Sequence, residues 1–353
     1  MGTSSYESYE VANAIFEEVA RVSQEGYNGN EKQLRIFLSF PSMKRPADLE
    51  NLSQVLQSNK CKQMLGLDDV CAELYPISPA PYLSLTFATC DNAEREGVHC
   101  HDVSIVEEDD TSADSAISAT KDWVNNFLGK YRLCPYTSSV TRAAVGLSSV
   151  DVPVGGVHVV DTGTAINTIV EQDAITRATA TKLVSAFWSE VNLLMKSTEE
   201  EWATSLVLCP EYDADFESFA DICDTVIEPT VVATRSTDVI GRAWFHPLYN
   251  ADSIGHSGVI GGHAVPHKMV YGFMKTLHSS SNANDALLEY DELAMANDKV
   301  RQTPHATINI LRRSQLNAAA EYEKGLGEKR PKANSIYVRN VRRISDVMRS
   351  SNK

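Results

Sequence analysis

Val239-Ile240-Gly241-Arg242-Ala243-Trp244-Phe245-His246-Pro247-Leu248-Tyr249 reads as a buried strand that ends at a histidine and a proline. Proline has no N–H for a ladder, so the strand stops there. His246 is thereby placed at a strand end, on the rim of a sheet, where α/β folds hold their ligands. Reading back from this stretch, Asp215 to Ile227 carries Phe216, Phe219, Ile222, Cys223 and Val226 at helical spacing. Thr204 to Pro210 is an apolar strand closed by proline, and a long helix spans about Ala165 to Ser197. Gly156 to Val160 is a short apolar strand. The order β-α-β-α-β is that of a layered α/β fold, with C-terminal helices at about His305 to Tyr322 and Ser335 to Met348.

The chain before this unit has its own pattern. Residues 6–24 form a helix, Leu34 to Phe40 a strand, and Asp48 starts a second helix. Residues 74–82 are proline-rich and extended, and Tyr82 to Thr89 pairs with Val98 to Val106 as a hairpin. Glu107 to Ser115 is acidic and lacks large apolar residues, which marks a linker. At 353 residues two domains are expected: an N-terminal α/β half at 1–110 and a second at 115–350 with a basic tail. A weak internal echo, Leu38-Ser39-Phe40-Pro41 then Asp48 against Leu208-Cys209-Pro210 then Asp215, hints at related halves.

The formal charge of −15 disfavours a general nucleic-acid binder. Its distribution is lopsided: residues 301–353 carry +8 and residues 1–300 carry −23. An acidic body and a basic tail can attract each other in a second copy, giving a homo-oligomer, or pair within one chain. No run of about 18 apolar residues occurs, so no membrane-spanning helix is expected. Seven cysteines without framework spacing read as reduced thiols of a cytosol-like or stromal compartment.

Four segments together resemble the bacterial family called domain of unknown function 1415. Its tryptophan-bearing helix leading to Leu-Cys-Pro-Phe looks like Trp123 to Tyr136, and its strand-proline-Asp-Phe unit like Ser205 to Ile222. Its Ser-Phe-His-Pro strand end looks like Trp244 to Tyr249. Its Ser-Pro-Tyr-Pro, His-Leu-Leu-Arg and Glu-Arg-Asn-Ile segments look like Thr303 to Ala306, Asn309 to Arg312 and Val338 to Val341. The resemblance spans residues 116–348 and implies no assigned activity. The family's histidine in His-Leu-Leu-Arg is Asn309 here, and its Tyr-Pro is His305-Ala306.

Cys134 and His246 are the sharpest nucleophile–base pair, because an imidazole can deprotonate a thiol and stabilise the thiolate. The competing reading is a buried cysteine beside a histidine satisfied by backbone groups. Arg312, Arg339 and Asn340, with His305 and Asn309, could bind an anion, since arginine offers a planar fork to carboxylate or phosphate. Against that stands internal pairing. His99-Cys100-His101 with Cys90, and His263 with His267, are metal-ligand types at unconvincing spacings, so no metal is expected. No Walker loop, dinucleotide fingerprint, nucleophile elbow or HExxH occurs, so no cofactor is expected either. Two function classes remain. One is a non-catalytic, self-associating scaffold of the kind that builds an algal (diatom) pyrenoid shell in the chloroplast stroma. The other is a hydrolase or transferase acting on a small anionic substrate through Cys134, His246 and Arg312.

Overall fold

A computed structural model describes residues 7–24, 34–40, 43–73, 81–87, 111–134, 136–150, 152–162, 172–250, 266–280, 287–327 and 332–351. Both parts of the chain mix helices and sheets, as the α/β reading expects. The chain divides into two compact units. One holds Met1–Thr111, Thr162–Lys196 and Glu217–Ile240; the other holds Ser112–Asp161, Ser197–Phe216 and Gly241–Lys353. The passage expected at 107–115 is thus one of several between the units, and the chain returns to the first unit twice.

In the first unit, the helix Ser8–Gln24 buries Val11, Ala12, Ile15, Phe16 and Val19. This stripe packs on the helix Gln172–Lys196, where Phe16 stacks on Trp188 with centroids 6.3 Å apart. A three-stranded antiparallel sheet has the order Leu34–Ser39, Tyr82–Phe87, Leu67–Glu73. The strand Leu67–Glu73 was not legible as a strand, because Asp68 and Asp69 interrupt its alternation. The short helix before it is capped by the Ser58 hydroxyl, which accepts from Cys61 N–H. It ends at Gly66, whose φ of 67° suits a residue without a Cβ. Buried Asp48 accepts from the Ser8 hydroxyl at 2.6 Å and faces Arg45 and Arg235.

The second unit is built on a four-stranded sheet ordered Gly156–Asp161, Trp202–Leu208, Thr307–Arg312, Ile240–Phe245. The first pair is parallel and the second antiparallel, with Leu206 opposite Asn309. Trp202–Leu208 is buried along nearly its whole length, as an inner strand should be.

Two expectations are corrected here. The helix expected from His305 to Tyr322 is a strand, Thr307–Arg312, followed by a helix, Arg313–Gly327. Thr307, Ile308 and Ile310 are β-branched and favour the sheet. As a result the opening stretch of sequence, Ile240–Phe245, lies outside Thr307–Arg312 in the sheet order. The second correction concerns the linker. From Thr111 the chain is already helical, through Asp122, with Asp114 in the first turn where its charge favours the helix N-terminus.

That helix widens into a π-helical segment, Trp123–Gly129. Asn125 Oδ1 there accepts from Val140 N–H at 2.9 Å, tying the segment to the small hairpin Thr137–Ser139 and Arg142–Ala143. Gly129 sits so close to the hairpin that an added Cβ would lie 2.2 Å from the Ser138 carbonyl oxygen. Gly129→Ala is expected to cost about 1–3 kcal/mol, read as a lower urea midpoint, because backbone rather than a flexible side chain must give way.

A second core joins the helices His267–Ser280, Tyr290–Lys299 and Lys332–Ser351 through Val270, Met274, Leu293, Val338, Val341 and Ile344. The expected hairpin strand Val98 to Val106, the histidines and cysteines at 90–101, and the Gly/His segment with His263 lie outside the described residues. Among the described residues no helix is long and apolar enough to cross a membrane.

Candidate functional site: a walled cavity in the second unit

Between the sheet and the helices of the second unit lies a cavity of about 370 Å³. Ligand pockets commonly measure about 300–1,000 Å³. The π-helical segment contributes Trp123, Val124 and Leu128 to the wall. The sheet contributes Thr204, Leu206, Asn309 and Leu311, and the following helix Gln315, Leu316 and Ala319. The C-terminal helix adds Tyr337, Asn340 and Val341. Most of this lining is apolar. Widened π-turns of this kind recur at functional sites because they re-aim side chains.

Three N–H donors of residues on this wall have no hydrogen-bond partner: Arg301 Nε, Gln315 Nε2 and Trp123 Nε1. Arg301 is only 4% exposed. Its Nη1 reaches the Asn297 carbonyl and side-chain oxygen at 3.3 and 3.4 Å, and its guanidinium lies 5.8 Å from the Tyr249 ring centroid. Burial lowers its pKa, yet arginine stays charged at neutral pH. Among the described residues no carboxylate comes within 4 Å of it. Asp298, the nearest acid on the same turn, is bonded to His267 at 2.7 Å.

The residues singled out from the sequence fall into two groups. Cys134, Asn309 and Asn340 line the cavity. The Thr204 hydroxyl lies 2.6 Å from Asn309 Oδ1 and 2.7 Å from the Ile310 carbonyl. Asn340 Nδ2 donates to the Leu133 carbonyl at 2.7 Å. Cys134 lies within electrostatic reach of Arg339.

Arg312, Arg339, His305 and His246 are engaged elsewhere. Arg312 Nε donates to the Trp202 carbonyl at 2.9 Å, and its Nη2 to the Ser197 and Thr198 carbonyls at 3.0 Å. It holds the turn after the helix Gln172–Lys196 and is no open anion fork. Arg339 and Arg343 donate to the carbonyls of Arg132 and of Tyr131 and Arg132, respectively. They satisfy backbone oxygens left at the end of the Thr111–Gly129 helical run, where positive charge is favoured. His305 Nδ1 bonds Asp213 at 2.7 Å, and the other oxygen of that carboxylate accepts from Ala306 N–H.

His246 is fully buried. Its Nε2–H donates to the Tyr212 carbonyl at 2.8 Å, and its Nδ1 accepts from Leu248 N–H at 3.0 Å. Both nitrogens are thus committed to the backbone, so His246 is not a base poised for Cys134. Its polar strand end pins the Pro210–Tyr212 turn, with Phe216 against the ring edge-on at 5.0 Å. Burial is the main cause that lowers its pKa, partly offset by the Tyr212 carbonyl, Asp213 and Asp215. The unfolded chain, with an ordinary imidazole pKa of about 6.5, therefore takes up the proton first as pH falls. Stability present above that value is lost on the way down to the folded pKa. The urea midpoint is expected to drop between pH 7 and pH 5, and His246→Gln to flatten that slope; equal slopes in both proteins would contradict this.

Residues 115–257 match the family described as protein of unknown function (DUF1415). The DUF1415 match covers the tryptophan helix, Cys134, the Pro210 turn and His246-Pro247. The wall residues Arg301, Asn309, Gln315 and Asn340 lie beyond it. No curated protein and no solved structure matches the chain. Among the described residues no group of three His, Cys, Asp or Glu could hold a metal ion. Arg301 and Gln315 were missed from sequence because they stand in no motif, and nothing in Val300-Arg301-Gln302 distinguishes a buried arginine from a surface one.

Proposed function

We propose that this protein binds a small, largely apolar molecule in the cavity of its second unit. The carrying observation is the cavity itself: about 370 Å³ of space with a mostly apolar wall, entered by a π-helical segment. A mostly apolar recess of this size with a few polar groups on its wall is the usual form of a small-molecule site.

The scaffold reading drew on the charge split, on Asn309 in place of an expected histidine, on the added N-terminal half and on the lack of a complete catalytic motif. Arg312, Arg339, Arg343 and Arg349 are all bonded within the chain, the last to Glu292 at 2.6 Å. Only Arg349 meets a carboxylate; the other three donate to backbone carbonyls and keep their positive charge, so the charge split still stands behind the scaffold reading. The hydrolase or transferase reading loses His246 and Arg312 to structural bonds, but Cys134 on the cavity wall keeps thiol chemistry compatible with a bound molecule.

Fluorescence titration with the neutral probe phenylnaphthylamine tests the binding reading. Saturable enhancement by the wild-type chain, lost in Ala319→Phe, is the expected result. The same titration should slow alkylation of Cys134 by iodoacetamide, followed by mass spectrometry of its peptide. Enhancement unaffected by Ala319→Phe, with Cys134 equally reactive throughout, would overturn the reading.

A further inference from the structure

Resting on that binding reading, we infer that the cavity's ligand carries a carboxylate on its apolar body, and that Arg301 is its counter-ion. A buried guanidinium with no hydrogen-bonded acid is costly, because taking a charge out of water is repaid only by a paired, hydrogen-bonded partner, and Asp298, which acts on Arg301 through space, is itself bonded to His267. Arg301 is 4% exposed and has two long bonds to Asn297 as its hydrogen bonds. Its Nε has no hydrogen-bond partner, nor do the Nε2 of Gln315, itself 5% exposed, and the indole N–H of Trp123; the atoms are buried, and all three side chains belong to the cavity wall. All three unpartnered groups are donors, so the wall favours acceptors and negative charge beside it. A ligand that offers acceptors and a negative charge satisfies them; a cation or a donor-only head group does not. The rest of the wall takes the apolar body.

A structural arginine would give the opposite signature to a ligand's counter-ion. Removing a structural arginine lowers stability. Removing a counter-ion that waits for its ligand leaves the empty protein as stable or more so, and removes binding.

Calorimetric titration with decanoate, decanol and decylamine on the wild-type chain tests this, alongside Arg301→Met and Gln315→Leu. Decanoate should bind about 10–100-fold more tightly than decanol, the worth of one charged hydrogen bond, and decylamine least of all. Arg301→Met should erase the preference for decanoate without lowering the Tm of the unliganded protein. Gln315→Leu should reduce it in part. Equal binding of the three compounds would overturn the carboxylate inference while leaving the cavity reading intact. Decanoate preference that survives both substitutions would overturn the role of Arg301. If neither these compounds nor phenylnaphthylamine bind, the binding reading itself fails.

Discussion

Trp188→Ala should remove about 3–5 kcal/mol from the stability of the first unit, among the largest effects of any single substitution in this chain. The indole is fully buried, stacked on Phe16 and set edge-on to Phe187 at 5.3 Å. Truncation leaves a void between the helices Ser8–Gln24 and Gln172–Lys196, whose own backbones hold them too rigidly to fill it. Trp188→Phe should cost much less, since the indole N–H makes no hydrogen bond that would be lost. Chemical denaturation followed by circular dichroism measures both. The prediction also tests the division of the chain. Trp188 lies in sequence between two strands of the second unit's sheet, yet packs with the N-terminal helix. A loss below about 1 kcal/mol in Trp188→Ala would contradict that placement.

Arg312→Ala should cost about 3–5 kcal/mol, because it leaves carbonyls of Ser197, Thr198 and Trp202 without their charged donor. Arg312→Lys should recover only part of the loss, since one ammonium cannot span three carbonyls held by a planar fork. Decanoate affinity of the folded variant should stay within about threefold of wild type, as Arg312 is not on the cavity wall. Urea denaturation and calorimetry separate the two quantities. Lost binding with unchanged stability would restore Arg312 as an anion site.

Much of the fold could be read from the chain. The strand before His246 stops where proline requires it, and the helix near the N-terminus and the strands at 34–39, 82–87, 156–161 and 202–208 follow their apolar periods. Thr307–Arg312 was lost because a β-branched strand runs directly into a helix with no Gly, Pro or capping residue between them. The π-helical widening at Trp123 has no sequence period of its own. The candidate site was half legible. Cys134, Asn309 and Asn340 were singled out through family-like motifs and line one cavity. His246 was singled out because its strand ends at Pro247, and that strand end fastens a backbone turn. Arg301 could not be found, because its distinction is burial without a hydrogen-bonded carboxylate, which is a property of the packed chain.

Asn309, which lies beyond the family match, lines the same cavity as Cys134. Diffraction from crystals grown with saturating decanoate tests the central claim most directly. The account predicts an alkyl chain inside the cavity, with a carboxylate oxygen within hydrogen-bond distance of the Arg301 guanidinium. An empty cavity, or decanoate bound only outside it, would contradict the account.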